Sequence, residues 1–186
     1  MLSHFHNFAK SQNFLIGASL VRISIALLLL YHYLIHYFQR YFLWSDSGVN
    51  VYEPKEAAFS LYNFNNSLAY FDLIYHLGII VTIIYLLGYK GRIISIINYI
   101  FYFSLYNRTV HISDGGDNLL IICMLFLLFA NTTAYFSLDA KKHQERLKAN
   151  KTSFFKDISM IFHNFAVLAC IIQLCVVYFF SGGSFK

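Results

Sequence analysis

The sequence predicts an all-α integral membrane protein of about five transmembrane helices packed as a bundle. Three observations lead there. The 186 residues are 58% hydrophobic and only 12% charged, against the ~25% charge of an average soluble domain. Asn118 to Phe136 carries no charged group, and its centre, Leu119 to Ala130, is apolar without a break. A helix needs roughly 20 such residues to cross the hydrocarbon core. Phe and Tyr are present in 20 and 15 copies, more aromatic surface than one soluble core of this size can hide. A bilayer accepts it, with rings favoured at its interfaces.

Five hydrophobic segments follow in order. The first runs from about Phe14 to Phe38 and carries Arg22 inside it. The second is Leu68 to Leu87. The third, Ile93 to Tyr106, is short and is expected to be extended at its ends or partly re-entrant. The fourth is Leu119 to Ala134, and the fifth about Ile158 to Phe180, within a run from Ile158 to Phe185 that holds no Asp, Glu, Lys or Arg. The connection Gln39 to Ser67 holds the only proline, Pro54. Gly88 to Arg92 is a tight basic turn, and Lys141 to Lys156 holds six basic residues.

The net charge of +5 is concentrated in that last loop. It reads as a topology signal and excludes a nucleic-acid-binding stripe. The positive-inside rule puts the N-terminus and loop 141–156 in the cytosol, with a bacterial inner membrane as the expected location. No cleavable signal pattern precedes the first segment, which is expected to stay. Cys123, Cys170 and Cys175 lie in apolar runs without a CxxC spacing, so they read as inert buried thiols. Glycine-rich phosphate loops, GxSxG and HExxH are absent from the sequence, which removes the common soluble-enzyme classes.

The residues that can carry chemistry are few. Asp114, Gly115, Gly116 and Asp117 stand at the mouth of the fourth helix. Asp117 is expected at or near the N-cap, where a carboxylate meets free N–H groups and the positive end of the dipole. Arg108 is the obvious counter-charge. The group reads either as a capped helix with a structural Arg–Asp pair or as a charged vestibule for a substrate. Arg22 must snorkel, pair or line a wet cavity. His32 and His36, spaced i, i+4, share its side of the first helix and make a polar stripe facing inward. Without a third ligand nearby they read as a packing or interfacial pair rather than a metal site. Asp72 and His76 form a second i, i+4 pair, either a proton relay or a local hydrogen-bonded pair. His163, Asn164 and Gln173 supply polar groups to the fifth helix for bonds across to a neighbour.

The stretch LYNRTVHISDGGDNLLIICMLFLLFANTTAYFSLDA resembles the central motif of the HTTM family, the multi-helix membrane domains related to vitamin K-dependent gamma-carboxylase. The family's Arg-Asn-type turn, acidic Gly-Asp pair and closing Ser-x-Asp look like Arg108, Gly116, Asp117, Ser137 and Asp139 here. Arg22 looks like the arginine of the family's first helix, and Ile172 to Gly182 like its Gln-to-Tyr-Phe helix. The resemblance runs through the whole chain, residues 1–186, as one such domain. It implies glutamate side chains, reduced vitamin K, O2 and CO2 as reactants, with a peptide or another membrane subunit as partner. It also implies a lysine base beyond the Tyr-Phe stretch, where Lys186 stands close to the place but out of register. The chain therefore reads as the N-terminal or truncated part of such a domain. The other reading is a non-enzymatic membrane scaffold or peptide-handling partner.

Overall fold

A computed structural model of the protein describes residues 11, 13–45, 48, 59–108, 114–148 and 154–183. Pro54 and Lys186 lie outside the described residues. Every regular element among the described residues is a helix: α1 (Leu15–Ile35), a 3-10 turn (Tyr37–Gln39), α2 (Arg40–Trp44), a second 3-10 turn (Leu61–Phe64), α3 (Leu68–Leu87), α4 (Gly91–Tyr106), α5 (Gly115–Leu127), α6 (Ala140–Lys148) and α7 (Phe154–Gly183). Among the described residues, three helices are long and apolar enough to cross a membrane: α1, α3 and the Asp157–Phe180 part of α7. A shorter apolar helix, α5, accompanies them.

The buried face of α1 is a helical stripe of Ala18, Ser19, Arg22, Ile25, Ala26, Leu29 and Tyr33, the i, i+3, i+4 recurrence of one helix side. Small residues in that stripe let α3 come close. Gly78 of α3 is one contact point, where an added Cβ would sit 2.7 Å from the Tyr33 hydroxyl. The opposite faces stay apolar, with Leu27, Leu28, Leu34, Ile80 and Ile83 all exposed. Apolar residues on both sides of a helix are what a lipid surround requires.

α3 packs on α1 and α4, and α5 packs chiefly on α7 while also touching α4 and α1. The chain runs up and down, so two ends form. One end collects the C-terminus of α1, α2, the second 3-10 turn, the C-terminus of α4 and the N-terminus of α5. It is rich in aromatic rings. The other collects the turn Gly88–Lys90, residues 128–139 and α6, and is basic.

The fourth segment departs from its expected bounds. Its helix starts earlier, at Gly115, because Asp114 caps it, and ends at Leu127 rather than Ala134. Residues 128–139 leave the helix, yet Ala130, Thr132, Thr133 and Ala134 are buried. Irregular backbone at such depth survives only where the protein supplies its hydrogen bonds. Here the neighbours do so. Asn131 N–H donates to His163 Nδ1 (2.9 Å), Tyr135 N–H to Ser19 Oγ (3.2 Å) and Leu138 N–H to Leu87 O (3.0 Å). His163 Nε2 faces Asn13 O at 2.8 Å, so the ring is the Nε2–H tautomer, accepting at Nδ1 and donating at Nε2.

Candidate functional site

Among the described residues, the sequence-predicted site residues do not form one cluster: Arg22 lies at one end of the molecule and Asp72, His76, Arg108, Asp114 and Asp117 at the other. Arg22 lies at the basic end, fully buried. Its Nε donates to Thr132 O (3.1 Å), Nη1 to Tyr85 O (2.8 Å) and Leu86 O (2.5 Å), and Nη2 to Phe136 O (2.6 Å). Tyr85 and Leu86 are in the last turn of α3, where carbonyls lack intrahelical donors. Thr132 and Phe136 belong to the irregular segment. One planar guanidinium therefore closes the end of α3 and ties it to the chain after α5. Gly88 caps α3 with φ +69°. A Cβ there would fall 2.4 Å from Ser137 Cβ and 2.9 Å from Arg22 Nη1, so glycine is required by both conformation and space.

Asp72 and His76 lie at the aromatic end, but the carboxylate does not orient the imidazole. Asp72 Oδ1 accepts from Arg40 Nε at 2.8 Å, and Oδ2 accepts from the Tyr41 hydroxyl. That bond holds the Arg40 guanidinium above its ordinary range and pushes the Tyr41 phenol up. His76 Nδ1 instead faces Asp72's own backbone carbonyl at 2.7 Å, and Nε2 lies 2.9 Å from the Tyr37 hydroxyl. The pair fastens α2 and the preceding turn to α3.

Among the described residues, Arg108 is held by carbonyls rather than by the aspartates. Its guanidinium donates to Trp44 O (2.8 Å) and Tyr62 O (3.1 Å) and lies over the Tyr62 ring. Burial pushes the Tyr62 phenol well up. The neighbouring Asn107 donates to Phe59 O (2.9 Å). The Asn-Arg turn thus knits the end of α4 to the segments carrying Tyr62 and Trp44.

Asp114, not Asp117, is the N-cap of α5. Asp114 Oδ1 accepts from Gly116 N–H (2.7 Å) and Asp117 N–H (3.0 Å), while Asp117 Oδ2 accepts from Asp114 N–H (3.3 Å). This is a reciprocal capping box built from two aspartates. The cap falls at Asp114 because its backbone is extended there, whereas Asp117 already lies inside the first turn. Asp117 Oδ1 also accepts a long 3.4 Å bond from the Tyr102 hydroxyl.

The residues that do converge are ones the sequence reading set aside. His32 stacks on Trp44 with ring centroids 5.6 Å apart, meets Tyr102 edge-on at 5.9 Å and meets His36 at 5.2 Å. His36 meets the same Trp44 edge-on at 5.6 Å. Both imidazoles line a cavity of about 680 Å³ between α1, α5 and α7. Its walls are apolar, with Ile25, Leu28, Leu120, Leu127 and Val167 among them, and Asp114 and Asp117 share the polar end with the histidines. Among the described residues neither imidazole has a hydrogen-bond partner. His32 and His36 are joined by no third His, Cys, Asp or Glu that could complete a metal site among the described residues. The i, i+4 spacing of the histidines was visible in the sequence. The arrival of Trp44 and Tyr102 on them was not, since Trp44 turns back after α1 and Tyr102 comes from a different helix.

An apolar slot closed at one end by unengaged polar rings suits a lipid-soluble molecule with a polar head. No protein-family model, curated protein or solved structure matches the chain.

Proposed function

We propose that this chain is a multi-pass membrane protein of the HTTM, gamma-carboxylase-like type. Its cavity binds a membrane-soluble quinol, the class to which reduced vitamin K belongs. The tail occupies the apolar slot between α1, α5 and α7, and the ring hydroxyls meet His32 and His36. One observation carries the reading: two imidazoles without hydrogen-bond partners stand, beside Asp114 and Asp117, at the polar end of a cavity whose other walls are apolar. The donor set fits the group, because a neutral imidazole can accept from a ring hydroxyl or donate to its oxygen.

Five crossings accord with this reading. α4 and α5 have 16 and 13 residues, about 24 and 20 Å at helical rise, so each needs its flanking turns to reach across. The basic end faces the cytosol by the positive-inside rule, which sets the quinol head toward the opposite surface.

Trp44 is the only tryptophan and stacks on His32, so its fluorescence reports occupancy. In nanodiscs, phylloquinol kept reduced should quench Trp44 saturably. His32→Gln and His36→Gln should each weaken that binding about tenfold, one charge-neutral hydrogen bond's worth. Equal quenching in both variants would remove the quinol site. Quinol-dependent incorporation of labelled CO2 into a glutamate peptide then separates a carboxylase from a binder.

A second reading, a non-enzymatic scaffold paired with another membrane subunit, is favoured by the outer end of α7. There Tyr178, Phe179 and Phe180 are 74%, 77% and 67% exposed. This reading expects no quinol-dependent quenching and a larger complex in mild detergent.

A further inference from the structure

A second cavity lies at the other end of the molecule and plays no part in the quinol reading. It measures about 540 Å³ and sits between the start of α4, residues 130–133, Asp139, α6 and the first turns of α7. Three cations line it: Lys90, Arg92 and Lys142. One carboxylate joins them, Asp139, and its Oδ2 already accepts the Lys90 backbone N–H at 2.6 Å. The charge facing the cavity is therefore positive.

The inner wall carries Thr132 and Thr133, only 4% and 7% exposed. Among the described residues neither hydroxyl has a hydrogen-bond partner. Both side chains line the cavity, so beside three cations their hydroxyls are available to donate to a ligand that supplies acceptors. α4 also begins here with no side-chain cap on its first amides, which adds partial positive charge.

We infer that this cavity binds the phosphate group of an anionic phospholipid. Cations and hydroxyl donors around a concave space are the chemistry that holds a phosphate. The membrane source follows from position. The cavity lies where α3 ends and the apolar span of α7 begins, and its rim carries Tyr89 and Ile93, 45% and 60% exposed. An apolar rim at the depth of the headgroups receives acyl chains while the basic wall receives the phosphate. Basic pockets between membrane helices take lipid headgroups in this way.

The test uses the full chain in a non-ionic detergent, titrated with dioleoyl phosphatidylglycerol and followed by native mass spectrometry. Wild type should retain phosphatidylglycerol in preference to phosphatidylcholine. The double variant Arg92→Gln/Lys142→Gln should lose about tenfold in affinity, and Lys142→Gln alone should lose part of it. Lys141→Gln removes the same charge from an exposed neighbour outside the cavity and should change nothing. Unchanged binding in the cavity variants would overturn the site. An equal loss in Lys141→Gln would reduce it to diffuse surface charge, and competition by inorganic phosphate at concentrations matching the lipid would replace the lipid with a free anion.

Discussion

Arg22 shows how a charge inside an apolar helix is made tolerable. A guanidinium has five N–H donors in a rigid fork, and here that fork meets four backbone carbonyls from two parts of the chain. The carbonyls need donors as much as the arginine needs acceptors. Phe136 even adopts a left-handed backbone, φ +50°, a strained conformation for a bulky residue, and its carbonyl is one of the four. Arg22→Ala should cost about 3 kcal/mol or more, since it leaves buried carbonyls unpaired. Arg22→Lys should recover only part, because an ammonium is a point charge and cannot reach four acceptors in a plane. Denaturation in detergent measures both, and a lysine variant as stable as wild type would show that charge alone suffices.

At the scale of elements, α5 and its exit decide the architecture. The helix is short because its start is set by the Asp114–Asp117 capping box and its end by partners for the unwound chain. Asp114→Ala should destabilise by about 1 kcal/mol, the usual value of an N-cap. Asp117→Ala should cost less in stability, because its carboxylate makes only one 3.3 Å bond within the box. Hydrogen exchange at the Gly116 and Asp117 amides would rise more in the first variant, and the reverse order would contradict the assignment of the cap. Elsewhere, polar pairs hold neighbouring helices together. Thr82 of α3 lies 2.9 Å from the Asn98 side chain of α4, and Tyr75 donates to Tyr33 O at 2.6 Å, joining α3 to α1. Such bonds contribute roughly 1 kcal/mol each in a membrane.

For the whole molecule, the two ends differ in chemistry, and that difference sets the orientation proposed above. Arg40 and Arg108 at the aromatic end are engaged by Asp72 and by carbonyls. The exposed cations Lys90, Arg92, Lys141 and Lys142 gather at the opposite end. With a membrane-impermeant maleimide, Asn66→Cys should label in intact cells and Lys148→Cys only after permeabilisation. The opposite pattern would invert the topology. Of the native cysteines, Cys170 is buried, Cys123 half-buried and Cys175, against the expectation of three buried thiols, exposed; Cys175 lies within the apolar span of α7, and a cysteine-free background removes its contribution.

Composition and periodicity were enough to read helices, their apolar faces and the basic end, because these depend on local sequence and on the solvent it prefers. Leu68–Leu87 is read with both bounds correct, closed by a Ser67 cap and Gly88. Charge pairing was not legible in the same way. Arg108 and the aspartates are neighbours in sequence, but backbone carbonyls of Trp44 and Tyr62, brought near only by folding, compete for the arginine. The Asp72–His76 spacing likewise does not reveal that Arg40 takes the carboxylate. Arg22 and the acidic mouth stood out in the sequence as charges in or beside apolar helices. The place where His32, His36, Trp44 and Tyr102 meet exists only once α1, α2 and α4 are packed. A side chain's spacing along one helix is set by the helix, whereas the partner across the interface is set by tertiary packing.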